Sequence, residues 1–259
     1  MADALYLPAG DGRFTATEHT VGPWGAGLQH GGPVAALLTR AVEQQPARWP
    51  FTVVRIAVEI LGPVPTGTIT VTSRSARGGR SVELVEAELS ADGRTAAVAR
   101  GWRIRASELQ LPEATAAAAA PPPMPAEDWA APTYGGGFLS ALQIRVVTGN
   151  WMEPGPMTLW ARLRHPVVAG EEATPLQRLM TLADCGNGVS SVLPIDSWVF
   201  INPDLTVHLS RRPAGEWFAM EASTGLDPAG FGLARSRLFD ADGEIGVGAQ
   251  SLFVSPRSG

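Results

Sequence analysis

The sequence predicts an α+β chain made of two copies of one unit, each a buried helix followed by an antiparallel meander. Three observations carry this. Two segments with helical apolar spacing superpose, PVAALLTRAV from Pro33 and PLQRLMTLAD from Pro175. Each is followed by alternating, β-branched stretches broken at Gly-rich turns. ADGRTAAVARGWRIR from Ala91 lines up with ADGEIGVGAQSLFVS from Ala241, and the same offset of 150 carries Pro63 onto Pro213 and Leu89 onto Phe239. The helices are offset by only 142 (Pro33 to Pro175), which places an insertion of about eight residues in CGNGVSSVLPIDSW. A two-fold repeat of this kind implies two small folds packed as a pseudo-dimer.

In chain order, Phe14 to Trp24 reads as an extended segment ending in the turn-rich GPWGAG. Gln29-His30-Gly31-Gly32 then leads into a helix over Pro33 to Glu43. Two glycines before a helix let backbone approach a ligand, and the free N–H groups of a first turn can face an anion or a polarised carbonyl. Strands follow over Thr52 to Leu61, Gly67 to Ala76, Ser81 to Leu89 and Thr95 to Arg105, with Gly78-Gly79 and Asp92-Gly93 as hairpin turns. Ala106 to Gly137 is rich in Ala, Pro and Gly and reads as a surface linker, with a short helix possible over Leu109 to Ala120. The expected division is an N-terminal unit 1–108, a linker 109–137 and a C-terminal unit 138–259. The second unit opens with strands Ala141 to Thr148 and Thr158 to Leu163, then the helix capped by Thr174 with Pro175 in its first turn, then four extended segments.

That second helix carries the strongest functional signal. Leu176, Leu179, Met180 and Ala183 recur at i, i+3, i+4 and i+7, and the next position of the stripe is Asp184. The first helix has Val42 there, so the scaffold does not itself require a charge. A carboxylate on a core-facing stripe is costly unless hydrogen bonds compensate it. The bland alternative is a stripe misphased by one residue, with Asp184 solvated at a helix end.

Composition narrows the field. Net charge is -5, all 20 basic residues are Arg, and no basic run exceeds Arg211-Arg212, which argues against nucleic acid as a partner. A single cysteine, Cys185, excludes an intramolecular disulfide and reads as a small buried residue. No signal-peptide pattern and no apolar run of roughly 20 residues is present, so the expectation is a soluble, cytoplasmic protein without membrane insertion. The nearest approach to a nucleophile elbow, GNGVSSV, lacks the second glycine of G-x-S-x-G. His19, His30, His165 and His208 share no metal-ligand spacing, and no phosphate loop or dinucleotide fingerprint occurs, so no metal and no cofactor are expected.

Four motifs, HGGP from His30, LADCGNG from Leu182, DLTVHLSRRP from Asp204 and ADGEIGVGAQ from Ala241, resemble the bacterial type II acyl-CoA thioesterases and their actinobacterial relatives. The resemblance runs from Phe14 to Pro256 outside the linker. It implies a double hotdog fold, an acyl-CoA substrate, and hydrolysis by direct attack of water. The family's Asp falls on Asp184 and its Gln on Gln250. Its Thr falls on Asn202, a departure, with Thr206 the other candidate. In a direct attack by water the developing oxyanion is expected at backbone N–H groups, with Gly32 the leading candidate and Gly31 and His30 beside it. The first copy has Val42 at the helix offset of 142 and Thr52 and Arg100 at the offset of 150, so one site should carry the chemistry. Arg77, Arg80, Arg211 and Arg212, in predicted turns, are candidates for the phosphates of coenzyme A. The alternatives are a non-catalytic acyl-CoA or acyl-chain binding protein on the same fold and, less well supported, a hydratase, whose Asp/His pair only Asp204 and His208 approach. A homo-oligomer is compatible with the sequence, and the acyl chain length is not legible in it.

Overall fold

The computed structural model describes residues 3–23, 25, 27–107, 109–110, 112, 119–129, 137–151 and 153–257. The first half holds β1 (Tyr6–Pro8), β2 (Arg13–Ala16), α1 (Gly31–Gln44), β3 (Phe51–Ile60), β4 (Thr68–Arg77), β5 (Val82–Ala91) and β6 (Arg94–Arg105). The second holds β7 (Leu142–Thr148), β8 (Met157–Leu163), α2 (Pro175–Ala183), α3 (Gly186–Val189), β9 (Trp198–Ile201), β10 (Asp204–Leu209), β11 (Trp217–Asp227), β12 (Phe231–Asp240) and β13 (Gly243–Pro256). The helix of the first half starts at Gly31 rather than at Pro33, so both glycines form its first turn. Five strands, not four, follow α2, because a short β9 precedes β10.

All strands join one antiparallel sheet in the order β1-β2-β4-β5-β6-β3-β10-β13-β12-β11-β8-β7, with β9 paired to β13. The order is a palindrome about the β3–β10 junction. There Ile56 pairs with Val207 and Ala57 with Thr206, so two half-sheets continue into one another through main-chain hydrogen bonds. Alternation along β5, β6 and β13 turns one face inward. Against that face lie α1, on β3 to β6, and α2 and α3, on β8 and β11 to β13. Val34, Leu37, Leu38, Leu179 and Met180 are all fully buried where α1 packs on α2. Among the described residues no helix is long and apolar enough to cross a membrane.

The bulges fix the true equivalence of the two copies. Ala96 is left unpaired between Leu89↔Ala97 and Ser90↔Thr95, and Ile245 between Leu238↔Gly246 and Phe239↔Glu244. These two bulged residues are 149 apart, not 150. The two-residue turns also differ from the letter match: Asp92-Gly93, both with positive φ, in the first copy, but Ala241-Asp242 in the second. The structural partner of Gln250 is therefore Gly101, not Arg100, and that of Asn202 is Val53, not Thr52. A one-residue slip moves every side chain of a strand to the other face: Arg100 points outward, whereas Gly101 and Gln250 point inward.

The linker is partly tied down. Along 119–129, Glu244 N–H donates to the Ala119 carbonyl, Trp160 Nε1 to Pro122 O at 3.2 Å, and Arg145 and Gln143 hold Asp128. These contacts bind it to the second half without regular secondary structure; most of the helix expected over 109–120 lies outside the described residues.

The helices run antiparallel, so the C-terminus of α1 meets the N-cap of α2. Thr174 Oγ1 accepts from Gln177 N at 3.2 Å and donates to Glu43 Oε2 at 2.8 Å, while Gln177 Nε2 donates to the same oxygen at 2.8 Å. Burial pushes the Glu43 carboxyl above its usual 4.5 against the pull of Gln177 and Thr174. Its contribution to stability is thus fully present below about pH 4.5 and is lost as pH rises through its folded value. Glu43→Gln is expected to remove that component, flattening the fall of urea-unfolding stability between mildly acidic and neutral pH; an unchanged profile would show that Glu43 does not titrate on unfolding.

Candidate active site

Asp184 closes the C-terminus of α2 and is 4% exposed. The apolar stripe that buries it is the one read from the sequence, so the carboxylate faces inward for the same reason as Leu176 and Met180. Donors from other elements meet it there. Asn202 Nδ2 donates to Asp184 Oδ1 at 2.9 Å, and Gln250 Nε2 donates to the Asp184 carbonyl at 3.0 Å and lies 3.5 Å from Oδ1. His30 Nδ1 stands 3.2 Å from Oδ2. The N-terminus of α1 points at the group, which favours a negative charge.

Each partner has a local cause. Asn202 and Pro203 interrupt what would otherwise be one strand, β9 running into β10. Pro203 has no N–H to give a ladder. The equivalent strand of the first half, β3, bulges at Val54, in the same place. Asn202 is oriented by Asn187, whose Nδ2 lies 3.4 Å from Asn202 Oδ1. Asn187 N–H also donates to Gln250 Oε1 at 3.0 Å. With its amide oxygen held, Gln250 turns its NH₂ toward Asp184. Gly186 makes the room, since a Cβ there would come within 2.6 Å of Gln250 Oε1.

His30 is the N-cap of α1. Its Nδ1 accepts from Gly32 N–H at 3.0 Å and its own N–H donates to Thr20 O at 2.8 Å. The ring packs on Phe138 with centroids 4.6 Å apart. One nitrogen thus faces two partners: in the tautomer without a hydrogen it caps the helix, and in the tautomer that carries one it can donate to Asp184. The Gly32 N–H, expected to face an oxyanion, is engaged by His30 in this structure. Gly31 serves close approach, because a Cβ there would lie 2.5 Å from Asp184 Oδ2.

Thr206 sits within β10, paired with Ala57 and Ala249, and it is Asn202 that reaches Asp184. Asp204 Oδ1 accepts from Ser251 N–H at 2.8 Å, and His208 is exposed further along β10. Cys185 is buried, its thiol pushed far up by burial and then by the neighbouring Asp184, which disfavours the thiolate. Arg211 forms a structural pair with Asp240, donating at 2.7 Å to Oδ2 and also to the Gly243 carbonyl at 2.9 Å. Arg77 lies over the Trp102 ring, 6.0 Å from its centroid. Trp160 is buried in the second half and Trp129 stacks on Trp151; Trp24 lies outside the described residues.

At the equivalent place in the first half stand Val42, Val53 and Gly101, all buried. A Cβ on Gly101 would lie 2.4 Å from Val42 Cγ1. Valine packed on glycine fills the space that a carboxylate and an amide occupy in the second half. The sequence could not show this, because the letter match hid the register.

A sheet wrapped over a helix pair and duplicated within one chain is the double hotdog architecture. The chain belongs to the acyl-CoA thioesterase family: residues 20–104 match the profile of the acyl-CoA thioesterase N-terminal domain and 112–254 that of the acyl-CoA thioesterase C-terminal domain. This membership places it among thioester hydrolases. A presumed thioesterase II of Thermobifida fusca is 19% identical, with TM-score 0.71 over 96% of this chain and 95% of its own. A hot dog fold protein of Alicyclobacillus acidocaldarius is 15% identical, with TM-score 0.70 over 95% and 93%. The acyl-CoA thioesterase II of Mycobacterium marinum is 18% identical, with TM-score 0.67 over 96% and 93%. At these identities the likenesses establish the fold. No curated protein matches the chain significantly.

Gly31→Ala is expected to displace the Asp184 carboxylate and lower thioesterase turnover by about 10²-fold, the scale of a 1 Å misplacement, with a small change in melting temperature. Wild-type turnover in this variant would show that the close approach is not needed for activity.

Proposed function

We propose that the chain hydrolyses acyl-CoA thioesters by direct attack of water, with Asp184 as general base and Asn202 and Gln250 holding it and the water. The second unit, 138–259, supplies these three residues. The observation that carries this reading is the buried carboxylate itself, met by two amides and an imidazole at the N-terminus of a helix. Asp184 takes a proton as the water oxygen bonds to the thioester carbon. Collapse of the tetrahedral intermediate breaks the C–S bond, and the proton passes from Asp184 to the departing thiolate. A His30 that donates to Asp184 through Nδ1 no longer accepts from Gly32, whose N–H is then free for the developing oxyanion. Asn202 fills the place of a hydroxyl residue through its NH₂, and Asn187 keeps that amide in the donating orientation.

Release of free thiol from a panel of short to long acyl-CoAs is the test. Asp184→Asn is expected to lower kcat by about 10²–10⁴-fold, the usual share of general-base catalysis, with the fold retained. Asn202→Ala is expected to lose less. Binding of an acyl-CoA without turnover by the wild type would replace this reading with an acyl-CoA binding role.

A further inference from the structure

A second cluster of ligand-type side chains is assembled from three segments far apart in sequence. Asp3 belongs to the arm before β1, His19 to the 3₁₀ turn Glu18–Thr20, and His165 to the loop after β8. Asp3 Oδ1 lies 2.7 Å from His19 Nε2, and Asp3 Oδ2 lies 3.1 Å from His165 Nδ1. The imidazole rings stack, with centroids 4.2 Å apart and planes at 21°. One carboxylate therefore receives a nitrogen from each of two rings.

We propose that Asp3, His19 and His165 bind one divalent ion of the zinc class. Two imidazoles and a carboxylate are the donors zinc takes as three protein ligands, and they disfavour magnesium or calcium, which prefer oxygen alone. The ligating atoms all lie within 4.8 Å of one another. With bonds of about 2.0–2.2 Å, ligand atoms of a tetrahedral site stand roughly 3.3 Å apart, so closure requires the two stacked rings to turn about their side-chain torsions until both lone pairs meet the ion. Asp3 is well exposed, which leaves a fourth position open to water, whereas both rings are largely covered.

The backbones are held in place before any ion arrives. Leu5 N–H donates to the Pro166 carbonyl at 3.0 Å, and Thr17 Oγ1 donates to the Ala4 carbonyl at 2.7 Å. Thr17 N–H donates to Leu5 O at 3.0 Å, and His19 N–H to Thr17 Oγ1 at 3.3 Å. Each ligand thus lies within two residues of a hydrogen bond that joins its segment to another, which is the support a site needs. The bound ion would clamp the arm to the 3₁₀ turn whose Thr20 carbonyl holds His30.

Untagged, chelator-treated full-length protein is titrated with zinc by calorimetry and with cobalt by visible absorption. One equivalent is expected for the wild type and for Asp184→Asn, with zinc raising the melting temperature of both. Asp3→Asn, at an exposed position, and His165→Ala should each weaken binding by about tenfold or more. Absence of stoichiometric binding by the wild type would overturn the site and leave a hydrogen-bonded cluster. Unchanged affinity in both variants would overturn it as well, placing the ion elsewhere.

Discussion

The burial of one carboxylate constrains the second half of this protein more than any other feature. An unpaired charge in an apolar interior costs several kcal/mol, so Asp184 persists only because amides from Asn202 and Gln250 and the first turn of α1 converge on it. Those donors need supports of their own. Asn187 orients two of them, Gly186 and Gly31 clear the space, and the Asn202-Pro203 break frees a side chain from a strand. No buried side-chain nitrogen or oxygen among the described residues lacks a hydrogen-bond partner. In such a network, loss of one member leaves another unpaired.

The first half shows the same scaffold without that constraint. Val42, Val53 and Gly101 are the apolar solution at the equivalent position, and they pack without any polar compensation. The polar groups nearby are placed differently: Arg103, buried, pairs with Glu83 and donates to the carbonyls of Val42 and Gln45 at 3.2 and 2.9 Å. The guanidinium there closes the end of α1. Two copies of one unit thus differ at this place, apolar in the first and built around a buried carboxylate in the second.

The sequence made the helices, the meanders and the duplication legible, because apolar periodicity and turn residues are local signals. The Asp184 stripe was legible for the same reason, and the Thr174 cap with its following proline was read correctly. The register was not. A match of the letters Ala-Asp-Gly put the second turn one residue late, and that slip assigned Arg100 to the place of Gly101. Engagement of Gly32 by His30 also escaped, since an N-cap bond depends on a ring rotamer. His19 and His165 carry no shared spacing, and only the docking of the arm brings them together.

The seat of that arm bears on how the chain is made. Tyr6 bridges Val168 in parallel, Leu5 N–H binds the Pro166 carbonyl, and the buried Tyr6 hydroxyl reaches Gln29 at 2.7 Å, next to His30. During synthesis the arm emerges from the ribosome long before Pro166 to Val168. Its aromatic anchor therefore has no complete binding place until translation has passed Val168. The first unit must wait with an unfinished edge, and its final closure is a late, long-range event rather than the first step of folding.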